Sequence, residues 1–179
     1  MKKLFCVFVS LLILVSFCES ISQWKESSFG ILQAPVKSFG VQGTTIWAGT
    51  DGQGLYSTVN GGKSWNPVDI AYLTNYFIRG IIVEGDMVFA GTGGGVYLTT
   101  NKGTDWNVIN GDITSSDVQC IALMGNYLFA GTSQDGVFVT TDMGNSWRTA
   151  NIGLINKKIR CLIVDGNNIY AGTEAGVFV

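Results

Sequence analysis

The stretch Ala130-Gly-Thr-Ser-Gln-Asp-Gly-Val-Phe-Val-Thr-Thr-Asp-Met-Gly-Asn-Ser-Trp147 decides the fold, because the chain repeats it. Trp147 follows Trp106, Trp65 and Trp24 at successive intervals of 41 residues. Ala130-Gly131-Thr132 recurs as Ala48-Gly49-Thr50, Ala90-Gly91-Thr92 and Ala171-Gly172-Thr173. Self-similarity at a fixed period in the forties marks an architecture of stacked units, none of which buries its apolar face alone.

Outward from this stretch, apolar residues hold fixed offsets. Twelve residues before each Ala-Gly-Thr stand Val36, Ile78, Val118 and Ile159. Nine before stand Phe39, Ile81, Ile121 and Leu162; seven before, Val41, Val83, Leu123 and Val164. Gly43, Gly85, Gly125 and Gly166 follow, so the pattern predicts a strand ending in a turn. A second strand runs into Ala-Gly-Thr. A third covers Leu55-Tyr56-Ser57, Val96-Tyr97-Leu98, Val137-Phe138-Val139 and Val177-Phe178-Val179, and each Trp opens a fourth. β-Branched and aromatic residues fill these segments and no helical period competes. The expected fold is all-β: a β-propeller of four-stranded antiparallel blades, about four of them in this chain.

Composition narrows function by exclusion. Of 179 residues, 46% are hydrophobic and only 2 are Pro, which fits a packed protein. Lys and Arg number 11 against 13 Asp and Glu, so no electrostatic grip on nucleic acid is expected. Histidine is absent, which removes Ser-His-Asp and Cys-His catalysis and every His-ligated metal site. No cofactor and no metal are expected.

Residues 1–22 read as a secretory signal peptide: Lys2-Lys3, then an apolar stretch from Leu4 to Phe17, then small residues. The spacing predicts cleavage before Gln23; Ile21, or a lipidated Cys18, marks the alternative boundary. The mature domain is then 23–179, exported to the periplasm or the cell exterior, with no membrane span. Cys120 and Cys161 share one repeat slot with Ser38 and Gly80. A slot that accepts Ser, Gly or Cys is small and buried, so free thiols are expected.

The loop before each Trp carries a family resemblance. It reads Thr58-Val-Asn60-Gly-Gly62-Lys-Ser64-Trp65, Thr99-Thr-Asn101-Lys-Gly103-Thr-Asp105-Trp106 and Thr140-Thr-Asp142-Met-Gly144-Asn-Ser146-Trp147. This resembles the Asp-box, or BNR repeat, S/T-x-D-x-G-x-S/T-W. Such boxes occur in sialidases, xyloglucanases, sortilin-type ectodomains and propellers of the photosystem II assembly-factor type. Two boxes carry Asn for Asp, and one has Asp105 for Ser or Thr. Physically the box is a stapled hairpin, and Thr58, Asn60, Gly62, Trp65 and their counterparts are expected to act as scaffold.

Two sets of residues are candidates for a ligand site. Eleven residues before each Ala-Gly-Thr stand Lys37, Arg79, Gln119 and Arg160, at the start of the innermost strand. On a propeller they would ring the channel mouth opposite the boxes, next to a ligand. Asp51 and Glu174 share another slot, and paired carboxyls are what glycoside hydrolysis needs. Gly62-Lys63-Ser64 is set aside as a phosphate loop, because it lies between strands and no helix follows it. A sialidase reading lacks its arginine triad, since only Arg79, Arg148 and Arg160 exist. The expected function is therefore a non-catalytic binding or scaffold module for a protein or glycan. The alternative is a fragment of a glycoside-hydrolase-like propeller acting on polysaccharide. Trp24 reads as the start of a fourth strand lacking its first three, and the last repeat has three lacking the fourth. Closure of these ends on each other would make a four-bladed ring. The expectation favoured here is an incomplete chain belonging to a larger ring.

Overall fold

The computed structural model describes residues 24–31, 33–70, 73–114 and 117–179. Residues 1–22, read above as a signal peptide, lie outside them. Among the described residues every regular element is a strand.

Four antiparallel sheets follow one another along the chain, one per repeat. Blade 1 holds β1 (Val36–Gln42), β2 (Thr45–Thr50), β3 (Leu55–Thr58) and β4 (Asn66–Val68). Blade 2 holds β5 (Ile78–Glu84), β6 (Met87–Thr92), β7 (Gly95–Thr99) and β8 (Asn107–Val108). Blade 3 holds β9 (Val118–Met124), β10 (Tyr127–Thr132), β11 (Val137–Thr140) and β12 (Arg148–Thr149). Blade 4 has three strands, β13 (Ile159–Asp165), β14 (Asn168–Thr173) and β15 (Gly176–Phe178). Within each blade the strands lie in chain order, so each blade is a meander. The outermost strands are the shortest, and Pro67 sits in one of them, where a missing N–H costs little.

Blades stack face to face, and the repeat explains the packing. The first strands β1, β5, β9 and β13 pack in succession and form the inner side. Ile78, Val118 and Ile159 occupy one slot and are fully buried between blades. Each lies against the glycine of the preceding Ala-Gly-Thr. A Cβ on Gly49 would come within 2.7 Å of Ile78, and one on Gly131 within 2.6 Å of Ile159. The glycine is required because the next blade packs on bare backbone. The threonine closes the turn: Thr50, Thr92, Thr132 and Thr173 donate to Gly54, Gly95, Gly136 and Gly176 carbonyls at 2.7–3.0 Å.

Trp24–Ser27 does not pair with Val177–Phe178 in any sheet of the described residues, and Trp24 is 102% exposed. The four blades make an open arc and not a closed four-bladed ring.

Candidate functional site

Strand order sets two edges on every blade. Turns such as Gly43, Gly85 and the loops before each Trp lie on one; the first-strand starts and the Ala-Gly-Thr turns lie on the other. Lys102 ties the first edge together, with its ammonium 3.2 Å from Asp86.

The loop on that edge is built by three side chains. Thr58, Thr99 and Thr140 are buried, and each hydroxyl accepts from the Gly62, Gly103 or Gly144 amide at 3.2, 2.9 and 3.0 Å. The same hydroxyls donate to Oδ1 of Asn60, Asn101 and Asp142 at 2.8, 2.9 and 2.7 Å. That Oδ1 in turn accepts the amide of Ser64, Asp105 or Ser146 at 2.9–3.1 Å. Gly62, Gly103 and Gly144 hold φ of 82–86°, the left-handed region that favours glycine. The exchange of Asp for Asn is matched across the loop. Asn101 Nδ2 donates to the Asp105 carboxylate at 2.8 Å, whereas Ser146 donates to the Asp142 carboxylate at 2.6 Å. The Ser146 hydroxyl and amide and the Thr140 hydroxyl lower the Asp142 carboxyl to about 2. Each Trp then reaches back to the preceding unit. Trp147 Nε1 donates to Ile109 O at 2.8 Å and Trp65 Nε1 to Ser27 O at 2.7 Å, each 38 residues upstream. Buried Trp106 packs edge-on to Trp47 at 6.1 Å, and its indole N–H has no partner. The Thr, Asn or Asp, and Ser or Asp105 side chains of these loops thus bond to one another within the hairpin.

The opposite rim differs. In every blade the pairing of first and second strands slips by one residue, between Val36 and Ser38, Ile78 and Gly80, Val118 and Cys120, and Ile159 and Cys161. The residue left out is Lys37, Arg79, Gln119 or Arg160. A bulge frees its residue from the ladder and re-aims the side chain. So four-fold repetition sets these four residues at equivalent bulges on one rim.

Acids meet them there. Lys37 Nζ lies 3.2 Å from Asp51. Arg79 pairs with Asp117, which also accepts from Gln119 Nε2 at 3.0 Å, so this carboxylate joins blades 2 and 3. Arg160 and Lys158 both pair with Glu174, the latter at 3.1 Å. Hydrogen bonds from Lys158 and Arg160 hold the Glu174 carboxyl below its ordinary value. The rim is thus a belt of alternating charge. Asp51 and Glu174 sit in separate ion pairs on blades 1 and 4, each beside its own cation. Sequence reasoning missed Asp117, Lys158 and Phe77. The Arg79 guanidinium lies 5.5 Å from the centre of the Phe77 ring, and exposed Tyr76 adjoins it. All three share one repeat slot, thirteen residues before Ala-Gly-Thr, which holds Pro35 in blade 1, so the slot has no constant chemistry for periodicity to show.

Cys120 and Cys161 are both free. Each lies against the Ala-Gly-Thr glycine of its own blade, which accounts for the small slot. Burial, and then the neighbouring Cys161, push the Cys120 thiol up to about 12. Cys161 is exposed; among the described residues no further blade packs on blade 4. The inner strands β5, β9 and β13 also border a depression of about 360 Å³, apolar but for Glu84. No group of three or more His, Cys, Asp or Glu able to hold a metal occurs among the described residues, and no helix there is long and apolar enough to cross a membrane.

No protein-family model matches the chain, and no curated relative matches it in sequence. Solved structures do match its fold. The computationally designed Ika4 protein superposes with a TM-score of 0.67 at 12% identity, over 87% of this chain and 98% of that one. An ancestral GH74 enzyme gives 0.64 at 21% identity, over 80% of this chain and 22% of that one. YCF48 bound to a D1 peptide gives 0.63 at 18% identity, over 82% and 50%. The fold is a β-propeller. This propeller arc spans half of YCF48 and about a fifth of the GH74 enzyme, and identities at this level speak to fold alone.

Proposed function

We propose that this propeller is an exported, non-catalytic binding module whose Asp-box loops are scaffold and whose opposite rim takes a glycan or a polar peptide of a partner protein. The observation that carries this reading is the shared bulge. Lys37, Arg79, Gln119 and Arg160 are lifted out of the ladder at the same point of all four blades. With Asp51, Asp117 and Glu174 they form a line of alternating donors and acceptors. A neutral, hydroxyl-rich or amide-rich guest matches such a line better than a simple anion, which would meet a carboxylate beside every cation. Exposed Tyr76 and Phe77 beside Arg79 offer apolar faces on which a sugar ring can lie. The apolar leader at residues 4–17 supports export.

Hydrolysis finds less support. A glycosidase general acid needs a carboxyl with a raised pKa. Glu174, one of the two candidate carboxyls, is instead held below its ordinary value by Lys158 and Arg160. The test is an immobilised panel of neutral and acidic polysaccharides, with xyloglucan also offered as a substrate. Arg79→Gln with Arg160→Gln is expected to cut binding at least tenfold while leaving the melting temperature within a few degrees. Xyloglucan hydrolysis that is abolished by Glu174→Gln or Asp51→Asn would move the chain to the glycoside hydrolases.

A further inference from the structure

Two Asn-Gly pairs occur in the chain, Asn60-Gly61 in the first Asp-box and Asn110-Gly111 after the second. In such a pair the glycine nitrogen can attack the asparagine side-chain carbonyl, because glycine brings no side chain to obstruct the ring that forms. The two pairs stand in opposite surroundings. Asn60 and Gly61 are both exposed. A Cβ on Gly61 would meet nothing within 4 Å, so this peptide has room to turn. The Gly61 amide donates to no group among the described residues. Gly111 is hemmed in: a Cβ there would meet Trp147, Gly144 O and Asn145 O within 3.0 Å. Asn110 is half-buried and tied at both side-chain atoms. Its Oδ1 accepts the Val96 amide at 2.7 Å, and its Nδ2 donates to Gly94 O at 3.2 Å.

The box aims its own donors at the Asn60 carbonyl. Oδ1 accepts the Thr58 hydroxyl at 2.8 Å and the Ser64 amide at 3.1 Å. Donors so placed stabilise the negative charge that attack at Cγ would put on Oδ1. Nδ2 donates to Ser64 Oγ at 2.9 Å. A serine hydroxyl both donates and accepts, so Ser64 can serve an amide or a carboxylate. Ser146 shows the second state, donating to the Asp142 carboxylate at 2.6 Å. Asn101 lacks this freedom. It faces Asp105, which only accepts, and the next amide, that of Lys102, donates to Asp86 O at 3.4 Å.

We propose that Asn60 is a site of spontaneous deamidation, through which the first box converts itself to the S/T-x-D-x-G-x-S/T-W form. The Gly61 nitrogen loses its proton to a solvent base and bonds to Asn60 Cγ. The Cγ–Nδ2 bond breaks, and the side-chain nitrogen leaves as ammonia with a proton from water. A water then adds to Cγ of the five-membered imide, and the bond from Cγ to the Gly61 nitrogen breaks. Asparagine and water thus give aspartate and ammonia, with nothing oxidised or reduced. Water attack on the other imide carbonyl would give isoaspartate and lengthen the main chain by one carbon. The Thr58 and Ser64 donors face Oδ1 and not that carbonyl, so the hairpin favours aspartate. The new carboxylate takes up charge-assisted hydrogen bonds from Thr58 and Ser64, as Asp142 does from Thr140 and Ser146.

Peptide mapping by mass spectrometry of the folded, full chain, incubated at neutral and mildly alkaline pH, tests this. Aspartate and isoaspartate products are separated by chromatography. Asn60 is expected to convert at least tenfold faster than Asn110 or Asn101, and mainly to aspartate. In urea, Asn60 and Asn110 should convert at similar rates, with isoaspartate in excess. Asn60→Asp should match the converted protein in ion-exchange mobility and melting temperature. Ser64→Asp recreates the Asn101 and Asp105 pairing and sets a fixed anion against charge on Oδ1. It is expected to slow conversion at least tenfold with an unchanged strand circular-dichroism spectrum. A folded protein in which Asn60 converts no faster than Asn110 overturns the proposal. So does an excess of isoaspartate from the folded chain, or undiminished conversion in a folded Ser64→Asp variant. Should that variant fail to fold, the comparison of folded and urea-treated protein still decides.

Discussion

Asn101 and Asp105 show how a loop tolerates exchange of its partners. Where the third position is Asp142, the residue four on is a donor, Ser146; where it is Asn101, that residue is an acceptor, Asp105. The pair is the unit, not either residue. Asn101→Asp is thus expected to set two carboxylates against each other and to destabilise the protein by about 1 kcal/mol at neutral pH. Asn101→Asp with Asp105→Ser recreates the Asp142 and Ser146 arrangement and should recover most of that loss. Urea unfolding of the two single variants and the double variant checks it, and additive losses would show that the side chains act independently.

The element that joins blades is the Trp-bearing loop. Trp106 is 4% exposed, so Trp106→Ala is expected to cost about 3–5 kcal/mol. Substitution by Phe separates packing from hydrogen bonding. Trp147→Phe strips Ile109 O of its donor, whereas the Trp106 N–H has none to lose. Trp147→Phe should therefore cost about 1 kcal/mol more than Trp106→Phe in thermal or urea unfolding. Equal losses would show that the indole bond adds nothing. The rim bulge is the other recurring element. It places Lys37, Arg79, Gln119 and Arg160 off the ladder without any special residue type, since Gln and Arg serve alike.

At the scale of the molecule, stability comes from repetition of one interface. Ile159 is buried between blades 3 and 4, and Ile159→Ala is expected to cost about 2–5 kcal/mol. Val36 fills the same slot at the open end. Val36 is 37% exposed, so Val36→Ala should cost less than about 0.5 kcal/mol in urea unfolding. A cost as large as that of Ile159→Ala would show that Val36 is packed as its counterparts are.

The sequence alone determined the blades. The interval between Trp65, Trp106 and Trp147, the Ala-Gly-Thr triplets and the fixed apolar offsets of Val118, Ile121 and Leu123 specify strands, turns and order, because each depends on contacts within one repeat or with the next. It also placed Lys37, Arg79, Gln119 and Arg160 in one slot. Only the tertiary structure decided what surrounds them. Asp117 reaches Arg79 across a blade boundary, 38 residues away, and no periodic pattern records a partner that occurs once. The same holds for the ends. Trp24 looks like its three counterparts in sequence yet is wholly exposed, and Val177 looks like Val137 yet is bare. A repeat writes the same interface at every position, but whether that interface is filled depends on having a neighbour, which is a property of the assembled arc.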